Sequence, residues 1–367
     1  MTIDLKALSS KLKRYREQLE ETIEETSNAT GIPKDRLHEI EEGETQPSGD
    51  EILILSDHYQ CDYKFFISNE RTAPFEQTEN LYRAYKEEFS KQDRRAVQEF
   101  LYLCETEEFL FLALERHSES FSFKSSGTYY KKHAEQGASE LRKKFGYGDD
   151  TLNLDIYADL RKIGVHLFRR KLENSAISGL FVRHPTAGNC VLINYSEDVY
   201  RQRFSAAHEL GHVIFDTDQQ ASVSLDKDQK KLLTEIRANR FASCYLMPPK
   251  LLRKLSDPQE WGEAETLTWA NKLRVSCEAL AIALREAKLI NNVGYDRIRN
   301  FRVKREAKID SELPETLSPS EYNRKKILLE RGLSNAYVKL CFDAHYEGKI
   351  SRGRLAEAIL TTEEEII

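Results

Sequence analysis

Residues 206–216 read AAHELGHVIFD, and the His-Glu-x-x-His inside them constrains this chain more than any other feature. On an α-helix, positions i and i+4 lie one above the other, so His208 and His212 present two imidazoles to one point. Both rings then reach a single ion at the ~2.0–2.1 Å that zinc–nitrogen bonds require. Glu209 projects beside that point, where a carboxylate takes a proton from a polarised water. Gly211 leaves room for another backbone to pass close by. The competing interpretation is an amphipathic helix whose two histidines are satisfied in its core. With nine His and 61 acidic residues in 367 positions, chance supplies such a pentapeptide about 0.04 times per chain, which favours the metal-binding interpretation.

A catalytic zinc keeps three protein ligands and one open position. Downstream, TEIRANRFASCYLMPP offers Glu235, with Asn239 four residues later on the same helix face. Glu235 is read as the third ligand. Asn239 is read as an acceptor for the outer ring N–H of a histidine, fixing its tautomer and angle. Asp216 and Asp218 are rival ligands, but they sit at the far end of the first helix, pointing away. Two imidazoles and a carboxylate suit zinc first and manganese second. A developing oxyanion needs a further donor, for which Tyr195, Tyr200, His184 and Tyr245 are candidates that the sequence does not separate. The strand-like run at 190–195 just precedes the metal helix. As a sheet edge it would pair with an extended substrate by strand addition.

The surroundings read as α+β. Short helices with Gly/Pro breakers fill 1–68, a polar linker follows at 69–88, and a long helix is expected over 89–118. A Ser/Gly-rich hinge spans 118–132, and a helix is expected at ASELRKKFG. Strand-like runs at 165–170, 177–184 and 190–195 follow, the last two joined by a hairpin. After the metal helix, 217–230 reads as a charged loop, and the helix LLTEIRANRFASCYLM is stopped by Pro248 and Pro249. The segment 304–315 reads as a solvated linker, and 336–360 as a helix pair with Gly at the turn. The six scattered cysteines form no CxxC pair, which fits reduced thiols in a cytoplasmic protein rather than a disulfide framework. The start of the chain lacks a signal-peptide pattern, and FLFLAL at 109–114 is too short to span a bilayer, so no membrane is expected as a partner.

FSAAHELGHVIFD followed by E-x-x-A-N-R-F-A…L-M-P at 235–248 closely resembles the ImmA/IrrE family of metallopeptidases. VLINYS upstream and VSCEALAIALREAKLI downstream are similar to that family as well, so the resemblance covers roughly 130–290. It implies a zincin-like core of a small sheet and an HExxH helix. It also implies Zn2+ at His208, His212 and a gluzincin-like Glu235, with Glu209 as the general base. The implied activity is cleavage of one regulatory protein, commonly a helix-turn-helix repressor, to switch gene expression. Many members carry an acidic residue where this chain has Arg237.

Residues 12–48 resemble the Cro/repressor-type (XRE) helix-turn-helix, through Gly31, Ile32, Leu37, Ile40, Glu41, Gly43 and Pro47. In that fold the helix at 33–42 enters the major groove. Charge argues otherwise: residues 1–68 hold 8 Lys+Arg against 15 Asp+Glu, and each phosphate contact needs a cation. DNA binding through 1–68 and docking to a protein both stay open. The expected layout is a helix-turn-helix domain (1–68), a helical connector (69–130), a peptidase domain (131–290) and a helical C-terminal region (291–367). The rival functional class is a DNA-binding regulator, or an antitoxin-like protein that uses the peptidase fold to hold a cognate toxin.

Overall fold

A computed structural model describes residues 3–68, 82, 88–119, 121–124, 130–217, 221–225 and 233–366. The expected linker at 69–88 and much of the hinge at 118–132 lie outside the described residues, as does Asp218. Short helices come first: α1 (Leu5–Gln18), α2 (Ile23–Thr30), α3 (Lys34–Glu42), α4 (Gly49–His58) and α5 (Tyr63–Ile67). Then come α6 (Lys91–Ala113), α7 (Tyr130–Lys144), α8 (Ile156–Lys162), β1 (Val165–Arg170), β2 (Ile177–His184) and β3 (Gly188–Asn194). The metal-motif helix is α9 (Val199–Phe215), followed by β4 (Ala221–Leu225) and α10 (Leu233–Leu246). The remainder is α11 (Pro249–Leu252), α12 (Glu263–Leu273), α13 (Cys277–Glu286), α14 (Asn292–Ile298), α15 (Pro319–Glu330), α16 (Asn335–Tyr346) and α17 (Arg352–Ala358).

The sheet order is β1-β3-β2-β4, with β1 parallel to β3 and the other pairs antiparallel. Alternation along the strands gives two buried faces. Val165, Leu167, Phe181, Val191 and Ile193 pack with α7–α10. Phe168, Leu180, Val182, Cys190 and Leu192 pack with Phe100, Leu103 and Cys104 of α6 and with Tyr337 and Cys341 of α16. Two expectations are overturned here. The strand at 190–195 is interior, not an edge, as its unbroken apolar run Cys-Val-Leu-Ile suits a strand covered on both faces. The sheet also has a fourth strand inside the expected loop 217–230. Two of its five residues, ASVSL, bear hydroxyls and leave the apolar alternation too weak to read.

The segment 304–315 is a solvated linker only in part, exposed at 304–307 and 315 but partly buried over 308–314. Arg169 of β1 is buried, donates to Asp310 (2.7 Å) and Glu312 (2.6 Å), and lies over the Tyr157 ring at 4.6 Å. Glu312 also pairs with Arg161 at 3.0 Å. A buried guanidinium demands counter-charges, so a polar stretch is drawn onto the protein. The helix expected to start at 138 begins at Tyr130. The pair at 335–346 and 352–358 turns at Gly348, whose φ of +69° suits glycine.

At the N-terminus, Thr22 and Glu25 form a capping box on α2, and Gly31 (φ +75°) ends that helix and turns the chain into α3. Leu37 and Ile40 pack with Leu8, Leu12 and Tyr15, while Arg16 grips Glu41 through two hydrogen bonds of 2.8 and 2.7 Å. This bundle is fastened to α6. Arg94 donates to Gln18 O (3.0 Å) and pairs with Glu20 (3.0 Å), Lys91 pairs with Glu25 (2.7 Å), and Gln98 donates to Gln60 O (3.2 Å).

His166 of β1 bonds Glu107 (2.8 Å) and Glu108 (3.3 Å) of α6. Burial works against the charged ring, but the two carboxylates outweigh it and raise its pKa to about 10. Because the folded value exceeds the unfolded one of ~6.5, the stabilisation is complete below that pH and is lost as pH rises through about 10. The difference in thermal midpoint between the wild type and His166→Phe should therefore narrow by roughly 5 °C between pH 6.5 and 10. A constant difference would show that His166 is not charged in the fold.

Candidate active site

Helix α9 crosses the inner face of the sheet, capped at its start by Asp198, and nearly all its side chains from Tyr200 to Ile214 are buried. His208 and His212 fall on one face, with ring centroids 4.7 Å apart and Nε2 atoms 3.0 Å apart. Glu235, in the first turn of α10, brings its carboxylate to both: Oε2 lies 3.2 Å from His208 Nε2, and Oε1 lies 3.3 Å from His212 Nε2. The helices meet at Gly211, where an added Cβ would stand 3.0 Å from Ala238 Cα. The backbone that the glycine admits is thus α10 itself, and the close approach carries Glu235 to the histidines.

The outer nitrogens are held as firmly as the inner ones. His208 Nδ1 bonds Asn239 Oδ1 at 3.0 Å, and His212 Nδ1 bonds Asp216 Oδ2 at 2.6 Å. Both partners accept, so each Nδ1 carries the proton and each Nε2 lone pair turns inward. Asp216 also takes a hydrogen bond from Arg237, whose guanidinium lies over the Phe215 and Tyr130 rings at 4.9 and 5.0 Å. The sequence set Asp216 aside as a misdirected ligand, and its side chain does serve His212 from behind. The i, i+4 spacing from His212 was the signal. Arg237 neutralises this buried aspartate.

Two inward lone pairs and two carboxylate oxygens crowd one point, and they repel unless something positive separates them. A tetrahedral ion with ~2.1 Å bonds spaces its ligands about 3.4 Å apart, close to the 3.0–3.3 Å seen here. The donor set therefore fits a divalent cation, and these three residues are the cluster of metal-ligating groups found among the described residues. A proton competes for the same lone pairs. Burial opposes charge on His212, yet hydrogen bonds to Asp216 and Glu235 raise its pKa to about 10.

Glu209 points instead toward the sheet and is fully buried. Its Oε1 accepts a 2.6 Å hydrogen bond from the Ser224 hydroxyl of β4, while Oε2 has no partner among the described residues. Gly179 of β2 leaves the space: a Cβ there would sit 3.1 Å from Glu209 Oε1. Burial raises the Glu209 pKa above its ordinary value, against the pull of both histidines and Ser224.

The oxyanion candidates are not gathered at this site. His184 lies five residues beyond Gly179, about 16 Å along the strand and on the opposite face, bonded to Glu105 at 3.2 Å. Tyr195 stacks by Arg169 (5.4 Å), Tyr200 bonds Asn271, and Tyr245 donates to Asp159 at 2.8 Å. Each is engaged in packing, which their residue type could not disclose. Ser224 was missed, as nothing in the sequence marks one serine of a short polar strand.

Two family models match the chain. Residues 160–285 match the Peptidase_M78 model, described as the IrrE N-terminal-like domain, and residues 12–66 match a helix-turn-helix model. Comparison with curated proteins returns no match. The Asp216→Asn substitution should weaken zinc binding about 10- to 100-fold in competition with a chromophoric chelator, and it should also lower the thermal midpoint because Arg237 loses its buried counter-charge. Unaltered affinity would show that the Asp216 contact does not orient a ligand.

Proposed function

We propose that this chain, which joins an ImmA/IrrE-type peptidase domain to a helix-turn-helix domain, is a cytoplasmic zinc-dependent endopeptidase that cleaves a specific regulatory protein, a helix-turn-helix transcriptional repressor. The observation that carries the reading is the convergence of His208, His212 and Glu235 within 3.3 Å of one another beside the unpartnered Glu209 Oε2. His208, His212 and Glu235 are assigned as ligands of Zn2+, and Asn239 and Asp216 as the groups that orient the two rings. When bound, the cation supplies a Lewis acid that polarises the scissile carbonyl and acidifies the attacking water. Glu209 takes a proton from that water as its oxygen bonds to the carbonyl carbon. It then returns the proton to the amide nitrogen as the C–N bond breaks. A carboxylate raised in pKa by burial is a better proton acceptor for this exchange than an exposed one.

An extended polypeptide suits the site, because among the described residues β4 is the edge strand, and its inner neighbour carries Gly179 beside Glu209. Strand addition belongs on β4 and not on β3. The helix-turn-helix unit is better suited to a protein than to DNA. Lys34 of α3 pairs with Glu24 (2.7 Å), and Arg36 binds Glu51 at 2.8 and 2.9 Å. The cations that would meet phosphates are occupied, and Asp35, Glu39 and Glu42 stand among them.

The Glu209→Gln form should retain one zinc per chain but lose at least ~100-fold in cleavage, and it should trap the substrate in pull-downs. Proteolysis by that form at the wild-type rate would remove Glu209 from its role. Fluorescence anisotropy with a random DNA duplex at 150 mM salt should give no binding tighter than ~10⁻⁴ M. Salt-dependent micromolar binding would restore the DNA reading.

A further inference from the structure

We propose that Ser224 is a positioning residue that selects which oxygen of Glu209 does the chemistry, and so couples the base to the strand on which substrate pairs. The proposal rests on the peptidase reading above. Glu209 is fully buried, and the Ser224 hydroxyl is the hydrogen-bond donor that reaches its carboxylate among the described residues. With Oε1 occupied at 2.6 Å, Oε2 is left as the free acceptor. The proton from the attacking water therefore goes to Oε2, and leaves from Oε2 to the departing amide nitrogen. Ser224 keeps its own proton throughout.

The rest of the local architecture fixes Ser224 in turn. The β2–β4 register shifts between Ile177 and Gly179, which makes Ser178 an extra residue in β2. Bulges of this kind re-aim side chains next to functional sites. The Ser178 hydroxyl donates to Ser224 O at 3.1 Å, standing in for the ladder bond that the bulge interrupts. Gly179 pairs directly with Ser224, and both face α9. At this one cross-strand pair, the absent side chain makes room for the Glu209 carboxylate and the present one binds it. A Cβ at 179 would also stand 3.0 Å from Leu192 O, so the β3 backbone would have to give by a few tenths of an ångström.

Coupling follows from topology. Among the described residues, Ser224 lies on the edge strand, and β4 pairs with β2 on one side. A peptide added to the free side of β4 would order the strand whose hydroxyl holds the base. Without that hydroxyl, the buried carboxylate loses its partner and rotates toward the two histidines, away from the position in which it receives a proton.

The test compares wild type, Ser224→Ala and Ser224→Thr. Infrared spectra, taken as the difference from Glu209→Gln, should show the Glu209 carboxylate band shifted in Ser224→Ala and restored in Ser224→Thr. Zinc affinity, by chelator competition, should be equal in all three. On the protein captured by Glu209→Gln, Ser224→Ala should lower kcat about 10- to 100-fold with KM unchanged, and Ser224→Thr should recover it. An unshifted band, a wild-type kcat in Ser224→Ala, or loss of zinc along with activity would overturn the proposal. If the wild type cleaves nothing, the peptidase reading fails instead, and the infrared comparison still decides whether Ser224 holds Glu209.

Discussion

The approach of α9 to α10 at Gly211 is the constraint on which the site depends. Glu235 lies 23 positions beyond His212, and the close backbone approach of Gly211 to Ala238 brings its carboxylate to both imidazoles. Ala238 contributes as much as the glycine, since a larger residue there would hold the helices apart. Once they touch, Asn239 falls behind His208, and Arg237 falls beside Asp216 behind His212. Most of the polar groups gathered in this buried place are paired; among the described residues, Glu209 Oε2 and Arg237 Nε are not.

The sheet supports this from one side and is itself supported from the other. The second face of β1–β3 is covered by α6 and α16, so chain segments far apart in sequence close a single layered structure around the metal helix. His166 with Glu107 and Glu108, and Arg169 with Asp310 and Glu312, are the polar bolts of that arrangement. The N-terminal bundle is bound to α6 by ion pairs, so it shares a helix with the layer that backs the sheet.

What could be read from the sequence was what depends on local spacing. The i, i+4 histidines, the same-face pair Glu235 and Asn239, the strand runs and the Gly31 turn each follow from the geometry of one element. Contacts between elements were not legible. Ser224 gains its meaning from a bulge and a strand pairing, and β4 is too short and too rich in serine to show an apolar period. The 304–315 segment is polar because it answers a buried arginine, and composition cannot tell that from solvation. Strand 190–195 was misplaced at an edge because segment order does not determine strand order. His184 and Tyr195 have the right chemistry for an oxyanion donor, but strand length and sheet face put His184 elsewhere, and Tyr195 packs by Arg169.

The central claim is that two imidazoles and one carboxylate hold a zinc ion with a position left open. X-ray absorption at the zinc edge of the loaded full-length protein tests it most directly. The expected shell holds two imidazole nitrogens at ~2.0–2.1 Å with oxygen donors completing four or five, and Glu235→Ala should lose one oxygen donor. A shell containing cysteine sulfur, or one unchanged by Glu235→Ala, would contradict it.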